Sequence, residues 1–270
     1  MISLPPREVS SQPLQPQEIN QLRLHARRIW RFFSTFVGEE DHWLPPDNFQ
    51  EDPHPVVAHR SSPTNFGLYL LSVIAARDFG WIGILDMADR LESTLKTLHS
   101  LPRYRGHFYN WYDTRDLRPL DPQYISSVDS GNLAGNLLAL SQGCEELSRR
   151  AIFSPIDLIG VRDSVMLLNR ALSEGYSDPR TTTVSIEQLR EIINDADLLL
   201  ELNAANAKDW RELAPELKSK ANTLIDAVQA LVRESDDPAI SEIQAWASAV
   251  HADIHSHTRD LELFPSLDFR

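Results

Sequence analysis

The sequence predicts an all-α protein, and three observations support this prediction. Apolar residues recur at three- and four-residue spacings over long stretches, which is the pattern of amphipathic helices. Gly, Pro and Asp-Pro signals separate these stretches. Outside residues 106–126, the strict alternation of apolar and polar residues that is typical of a half-buried strand does not recur. The 270-residue chain is therefore expected to form about eight helices.

The first helix is predicted over residues 16–37, after a Pro-, Ser- and Gln-rich tail at 1–15 that is expected to be disordered. Its predicted apolar stripe consists of Leu22, Ala26, Ile29, Phe33 and Phe36. The following segment, 38–63, carries five prolines, which prevent regular structure. Because Trp43 and Phe49 also lie in this segment, it is predicted to be an ordered, functional loop.

The second helix is predicted to begin at Ser62-Pro63-Thr64-Asn65 and to end near Gly80. It is apolar on nearly all sides and is expected to be buried all round. A third helix, over 82–98, is amphipathic. Its predicted apolar side consists of Ile84, Leu85, Ala88, Leu91, Leu95 and Leu98. Residues 106–126 are aromatic and broken by Asp-Pro, which predicts an extended, hairpin-like loop.

The fourth helix, predicted over 128–149, is rich in small residues, among them Gly131, Gly135 and Gly143. A glycine inside a helix costs about 1 kcal/mol relative to alanine, so these positions predict close helix packing or close approach of a ligand. Residues 151–270 predict a plain helical bundle with a structural role. Its four helices are predicted at about 155–174, 183–203, 208–234 and 238–260.

Composition excludes several classes of function. A net charge of −13, with the basic residues scattered among acids, argues against a nucleic-acid partner. The N-terminus lacks a secretory signal, and no apolar run reaches the ~20 residues of a membrane span, so a soluble, cytoplasmic chain without direct membrane insertion is expected. The lone Cys144 is expected to be a buried, inert thiol. No phosphate loop, nucleophile elbow or Cys-His pair is evident, and no cofactor is expected.

Four segments in the first half combine aromatic residues with Asp, Asn, His or Arg. They are HWLPPDNFQEDP (42–53), VAHRSSPTNFGLYLLS (57–72), RGHFYNWYD (105–113) and YISSVDSGNLAG (124–135). Sugars require this mixture, because their C–H faces stack on aromatic rings while each hydroxyl needs a directional partner. A single such aromatic is more often a core residue. Four segments in one half of the chain predict a carbohydrate-binding cleft.

Asp129 is the candidate catalytic carboxylate, because it lies at the start of the fourth helix, where a side chain can point into a cleft. The alternative is that it only caps that helix. The candidate substrate-binding residues are Trp43, Asp47, Asn48, Glu51, His59, Arg60, Asn65, Tyr109, Trp111, Tyr112 and Asp113. Loop acids are often merely solvated, and His59 and Arg60 suit a structural salt bridge equally well.

Alternation along an extended segment limits which of the aromatic candidates can meet a ligand together. It would place Tyr109 and Trp111 on one face and Asn110 and Tyr112 on the other. Only one of these two pairs is therefore expected to contact a sugar.

A competing signal lies near the C-terminus, where His251, His255 and His257 follow one another on a predicted helix. Two histidines at i and i+4 share a helix face and can bind zinc. Without a third ligand of good geometry, a solvated helix face is the favoured interpretation. No metal site is assigned.

The polar-aromatic segments also carry a resemblance. WLPPDNFQEDP, VAHRSSPTNFGLYLLSVIAARDFGWIG and GHFYNWYDTRDLRPLDPQYISSVDSGNLAG, with the preceding RRIWRFFSTF, resemble cyclic β-1,2-glucan synthases over about residues 20–150. Their order is also similar to that in endo-β-1,2-glucanases, which have an (α/α)6 barrel. The resemblance implies paired antiparallel helices forming the first part of an (α/α) barrel over 16–150, with 151–270 as a helical-bundle insertion.

The resemblance further implies a function. The synthases are inner-membrane proteins whose middle domain closes linear β-1,2-glucan into a ring by transglycosylation, and this chain would contribute the glucan-binding half of that domain. The later helices, which carry the catalytic carboxylates in the family, are not matched, so a partner is expected in the remaining part of a split or truncated synthase. Two alternatives stay open: an inactive carbohydrate-binding or scaffold fragment, and a stand-alone helical bundle that binds metal.

Overall fold

A computed structural model describes residues 13–175, 186–205, 210–234 and 238–264. Within these ranges the chain forms eight α-helices: α1 (Pro16–Phe36), α2 (Pro63–Asp78), α3 (Ile84–Ser100), α4 (Ser127–Leu147), α5 (Pro155–Gly175), α6 (Ile186–Ala205), α7 (Trp210–Glu234) and α8 (Pro238–Leu263). Six two-residue strands accompany them: β1 (Phe49–Gln50), β2 (Val56–Val57), β3 (Arg60–Ser61), β4 (Arg103–Tyr104), β5 (His107–Phe108) and β6 (Tyr112–Asp113).

The all-α prediction is confirmed, since 72% of the structure is helical. The segment 106–126 is free of helix, and it contributes β5 and β6, of which β5 forms a hairpin with β4. The predicted starts of the sixth and seventh helices, at 183 and 208, and most of the predicted disordered tail lie outside the described residues.

The apolar stripe predicted for α1 was wrong in part. Leu22 and Ile29 are 55% and 67% exposed, while the buried residues of this helix are Leu24, Arg27 and Trp30. The reason is that the Arg27 guanidinium donates to Ser164 of α5 and to Asp253 of α8. These hydrogen bonds place the face of α1 that carries Arg27 against the protein interior.

Smaller corrections apply elsewhere. Leu95 of α3 is 41% exposed, and the buried face of that helix includes Thr94 instead. Leu68 of α2 is 52% exposed, so this helix is not buried all round.

Cys144 is half-buried, not fully buried. Its partial burial raises the pKa of the thiol, which keeps it protonated and unreactive at neutral pH.

Helices α2 and α4 pack closely and run parallel, because their contacts advance together along both helices. Thr64 contacts Asp129 near the start of each helix, and Ile74 contacts Gly143 nearer their ends. Between these points, a Cβ on Gly67 would lie 2.4 Å from Nδ2 of Asn136. Helices α2 and α4 are therefore parallel, with α3 as the return between them, and the barrel arrangement itself stays a prediction.

The buried apolar residues form two clusters. One is built mainly from α1 to α4 and includes Phe66, Tyr69 and Trp81, and the other is built mainly from α5 to α8 and includes Leu168 and Trp246. Buried or nearly buried ion pairs join the two: Arg23 with Asp163, Arg27 with Asp253, and Arg77 with Asp157. The division of the chain near residue 150 stays a prediction.

Asp260 of α8 caps the first turn of α3. Its carboxylate accepts hydrogen bonds from the backbone N–H of Ile84 and of Leu85, at 2.6 and 3.0 Å. The N-cap residue of α3, Gly83, has no side chain to do so, and a Cβ there would lie 2.4 Å from Asp260 Oδ2. The contact therefore fixes α8 against the start of α3.

No helix in the described ranges is both long and apolar enough to cross a membrane.

Substituting Gly67 tests the close packing of α2 on α4. Gly67→Ala is expected to lower the free energy of unfolding by about 1–3 kcal/mol, because the new methyl group would overlap Asn136. The matched control is Gly135→Ala, where no atom lies within 4 Å of the added Cβ, so a gain of about 0.5–1 kcal/mol is expected. Urea denaturation followed by circular dichroism measures both. A Gly67→Ala variant as stable as the parent would contradict the packing described.

Candidate functional site

Asp129 lies where the N-termini of α2 and α4 meet. It is the third residue of α4, and its backbone N–H donates to the Oγ of the N-cap residue Ser126, at 3.1 Å. Its carboxylate accepts a 2.6 Å hydrogen bond from the hydroxyl of Thr64, the second residue of α2. Ser126 therefore provides the side-chain cap of α4, and the Asp129 side chain is directed toward the neighbouring helix.

Asp129 is held as a carboxylate. Its partial burial acts to raise the pKa, but hydrogen bonds from Ser126, Thr64, Ser62 and its own backbone N–H outweigh burial and hold the pKa below its usual value. The positive ends of two helix dipoles act in the same direction. At neutral pH the group is therefore suited to accept a hydrogen bond or a proton, or to attack as a nucleophile, and not to donate a proton.

Asn110 links Asp129 to an aromatic side chain. In the amide orientation that satisfies all of its neighbours, Nδ2 donates to Asp129 Oδ2 over 2.9 Å. The amide oxygen then accepts from Trp111 Nε1 at 2.8 Å and from the Tyr124 hydroxyl at 2.7 Å. Asn110 is only 6% exposed, so it fixes the positions of both the carboxylate and the indole.

A short antiparallel pairing joins the proline-rich loop to the aromatic segment. Strands β3 and β6 pair with Arg60 opposite Asp113 and Ser61 opposite Tyr112. This pairing brings the guanidinium carbon of Arg60 to 5.0 Å from the centroid of the Trp111 ring. Residues of the loop 42–61 and of the segment 107–113 therefore lie close to Asp129.

Asp47 extends the network along the loop. Its Oδ2 accepts from Arg60 at 2.9 Å and from Asn48 at 3.2 Å, and its Oδ1 lies 3.5 Å from Nδ2 of Asn65. Asn65 in turn accepts a 2.9 Å hydrogen bond from the hydroxyl of Ser62. We refer to the connected residues as the Asp129 cluster: Asp47, Asn48, Arg60, Ser62, Thr64, Asn65, Asn110, Trp111 and Asp129.

Other predicted site residues have structural positions. Tyr112 is fully buried, donates to the carbonyl of Pro102 at 2.7 Å, and burial raises its pKa to about 12. Asp113 accepts from the backbone N–H groups of Arg115 and Asp116, which holds the turn after β6. The predicted alternation holds, since Tyr109 and Trp111 are half-buried while Asn110 and Tyr112 are buried.

Three further candidates make no hydrogen bond to the Asp129 cluster in the part of the chain that the structure describes. His59 is 2.8 Å from Asp41, a buried carboxylate that also accepts from the hydroxyl of Thr114, so it forms the structural pair considered above. Trp43 adopts a left-handed backbone conformation with φ 61°, and its carbonyl accepts from Thr94 of α3. Glu51 is exposed in the connection between β1 and β2.

Sequence reasoning missed Thr64 and Asn110 as site residues. A signal for Thr64 was present in the two similar helix starts, Ser62-Pro-Thr-Asn65 and Ser126-Ser-Val-Asp129, each with a serine N-cap and a polar residue three positions later. Two such starts facing one another would place polar side chains in contact. No signal marked Asn110, because its role depends on the tertiary position of Asp129.

The C-terminal histidines do not converge. The rings of His251 and His255 are 4.3 Å apart, but His257 is buried and its Nε2 lies 2.8 Å from the carbonyl of Gly80. Among the described residues, no group of three or more His, Cys, Asp or Glu is placed to hold a metal ion.

Fold and site together define an all-α protein with a polar-aromatic cluster at the meeting point of two parallel helix N-termini. The chain is 41% identical over 249 residues to the cyclic β-(1,2)-glucan synthase NdvB of Rhizobium meliloti (strain 1021). The match covers 90% of this chain and 9% of the synthase. No family model matches the sequence. The chain belongs to the cyclic β-(1,2)-glucan synthase family and corresponds to one segment of such a protein.

Removing the Thr64 hydroxyl tests how Asp129 is held. In Thr64→Val we expect the pKa of Asp129 to rise toward its ordinary value, because a donor to the charged form is lost. A carboxyl group whose pKa is lowered by folding stabilises the folded state at pH values above its ordinary pKa, and this stabilisation is lost as the pH falls. Because Thr64→Val raises the pKa of Asp129, the variant should lose less stability on acidification. NMR titration of the Asp129 side-chain carbon measures the pKa. Thr223→Val on α7, whose hydroxyl bonds to the carbonyl of Ser219, should leave the titration unchanged.

Proposed function

We propose that this chain forms the glucan-binding part of a transglycosylase- or glycosidase-like domain in a cyclic β-1,2-glucan synthase, with the Asp129 cluster as the binding surface. The observation that carries the proposal is the bridge from Asp129 through Asn110 to Trp111. It holds an ionised acceptor and an aromatic ring at fixed positions relative to one another. A sugar requires both, one for its hydroxyls and one for its C–H face.

Arg60 of the cluster and Asn132 beside it fit the same role. The guanidinium of Arg60 is half-exposed and lies against the Trp111 ring, so it presents donors beside the stacking surface. Asn132 of α4 is exposed and donates to Thr64 at 3.1 Å, which places a second amide next to Asp129. Donors and acceptors therefore alternate over a short distance, as the hydroxyls around a pyranose ring require.

Glycosidic chemistry needs two carboxyl groups flanking the bond. Asp129 meets the requirement for one of them, as a base or a nucleophile. The carboxylate of Asp47 is already bound by Arg60, Asn48 and Asn65, which suits it to position groups. We therefore assign substrate binding and at most one reactive carboxylate to this chain, and the second to another part of the synthase.

The parallel pair α2 and α4, with α3 as the return between them, also supports the proposed architecture. Repetition of this unit would generate a ring of parallel inner helices and antiparallel outer ones. Residues 16–150 would then form the first part of an (α/α) barrel, and 151–270 a helical insertion beside it. The Asp129 cluster lies at the end of this array where the helices begin.

Binding of linear β-1,2-glucan oligosaccharides tests the proposal directly. Trp111→Ala is expected to weaken binding about tenfold, because loss of one stacking ring costs on the order of 1.4 kcal/mol. Asp129→Asn keeps the shape of the side chain but removes its charge, and should also weaken binding. Titration calorimetry measures both. The control is Tyr104→Ala, an aromatic residue on β4 that is 49% exposed. Unchanged affinity in Trp111→Ala would contradict the assignment.

Incubation with linear β-1,2-glucan tests turnover. We expect this chain alone to form neither rings nor shorter products at a useful rate, because the cluster supplies only one suitable carboxylate. Product analysis by mass spectrometry is the measurement. Robust product formation that Asp129→Asn abolishes would show that the catalytic site is complete within this chain, and would overturn the division of roles proposed above.

A further inference from the structure

A cavity of about 380 Å³ lies between α1, α3 and α8. Three arginines line it, Arg27 and Arg31 from α1 and Arg90 from α3, together with the carboxyl groups of Asp86 and Asp253. Its volume falls within the range of roughly 300–1,000 Å³ that is typical of small-molecule sites. None of its lining residues belongs to the Asp129 cluster, so it is a separate candidate site.

Arg27 carries a hydrogen-bond donor that its neighbours do not use. The residue is only 2% exposed; its Nε donates to Ser164 at 2.8 Å, and its Nη2 lies 3.1 and 3.2 Å from the two carboxylate oxygens of Asp253. The third nitrogen, Nη1, is buried and has no hydrogen-bond partner in the part of the chain that the structure describes. Because a buried charged donor without an acceptor is costly, Arg27 indicates a ligand that supplies one.

The other two arginines of the cavity are held in position by neighbouring side chains. Arg90 donates from Nε to Asp86 at 2.9 Å, and its guanidinium carbon lies 5.5 Å from the centroid of the Trp30 ring. Arg31 donates from Nη1 to Glu242 at 2.6 Å. Since these side chains are already ordered, a ligand that binds them loses little affinity to the cost of ordering them.

The tryptophans of the cavity argue against a sugar as its ligand. Trp30 and Trp81 are only 3% and 2% exposed. The guanidinium of Arg27 lies 5.7 Å from the centroid of the Trp81 ring, and that ring also stacks on Phe79 at 4.6 Å. Stacking of a sugar requires an accessible ring face, as Trp111 offers in the Asp129 cluster. Here the rings pack against arginines, so the N–H groups are the groups left to recognise a ligand.

We propose that this cavity binds a small molecule that carries a phosphate or carboxylate group. Its lining has three arginines and two aspartates, one more cation than anions, in a chain whose net charge is −13. Guanidinium groups match the geometry of both oxyanions, and either would supply the acceptor that Arg27 lacks. Ser248 and Ala252 of α8 line the cavity and are exposed, so a ligand can enter from solvent. The inference does not depend on the proposed function of the Asp129 cluster.

Titration of the full chain with inorganic phosphate, acetate and glucose, at constant ionic strength, tests the inference. We expect saturable shifts of the indole N–H signals of Trp30 and Trp81 in NMR spectra with phosphate or acetate, and none with glucose. The indole signals of Trp111 and Trp210 are the controls and should not move with either anion. Saturation of the Trp30 and Trp81 shifts by glucose alone or by none of the three, or equal shifts of all four indoles, would overturn the inference.

Arg27→Lys tests the unused donor directly. Lysine keeps a positive charge beside Asp253 but lacks the branched guanidinium, so affinity for the anion should fall on the order of tenfold. Circular dichroism checks that the helices are retained. A folded variant that binds the anion as tightly as the parent chain would contradict the role of Arg27.

Two substitutions nearer the surface provide a test that does not disturb buried groups. Arg31→Gln removes a cation whose ion pair with Glu242 is partly exposed, and Ala252→Glu adds a carboxylate at an exposed position, so the melting temperature should hardly change. Each should weaken anion binding about tenfold in titration calorimetry, through a lost donor or a like charge. Arg28→Gln on α1 and Gln229→Glu on α7 make the same charge changes at exposed positions outside the cavity and should retain the affinity. Undiminished affinity in both cavity variants would refute the site.

Discussion

The close contact between α2 and α4 is the constraint on which the candidate site depends. Because Gly67 has no side chain, Asn136 packs directly against the α2 backbone and the two helices lie parallel. Parallel packing brings both N-termini to the same end, where the hydroxyl of Thr64 meets the carboxylate of Asp129. Two helix dipoles and several hydrogen bonds then stabilise one negative charge. An antiparallel pair would have separated these groups by the length of a helix.

Buried charged groups connect the helices α1 to α4 with the helices α5 to α8. Arg27 of α1 meets Asp253 of α8 and Ser164 of α5, and burial raises the pKa of Asp253 to about 6 despite the arginine. Such pairs add little net stability compared with apolar packing, but removing one partner costs about 3–5 kcal/mol because the other charge stays buried. These ion pairs therefore determine the relative position of the two apolar clusters more than they contribute to the free energy of unfolding.

The two faces of α4 differ in what they contact. The face with Leu133 and Leu140 is buried within the chain, whereas Val128 and Leu138 on the other face are exposed. Asp129 lies on the first turn of the same helix, close to both.

The sequence by itself determined the helices, because the period of apolar residues and the Gly and Pro signals are local properties of the chain. It also determined the alternation at 109–112 and the start of α2 at Ser62. It did not determine which face of α1 is buried, since that depends on Asp253, 226 residues away from Arg27. The tertiary structure alone joined Asn110 to Asp129 and placed Tyr112 in the core, because a side chain's partners are decided by packing between elements and leave no periodic trace in the sequence.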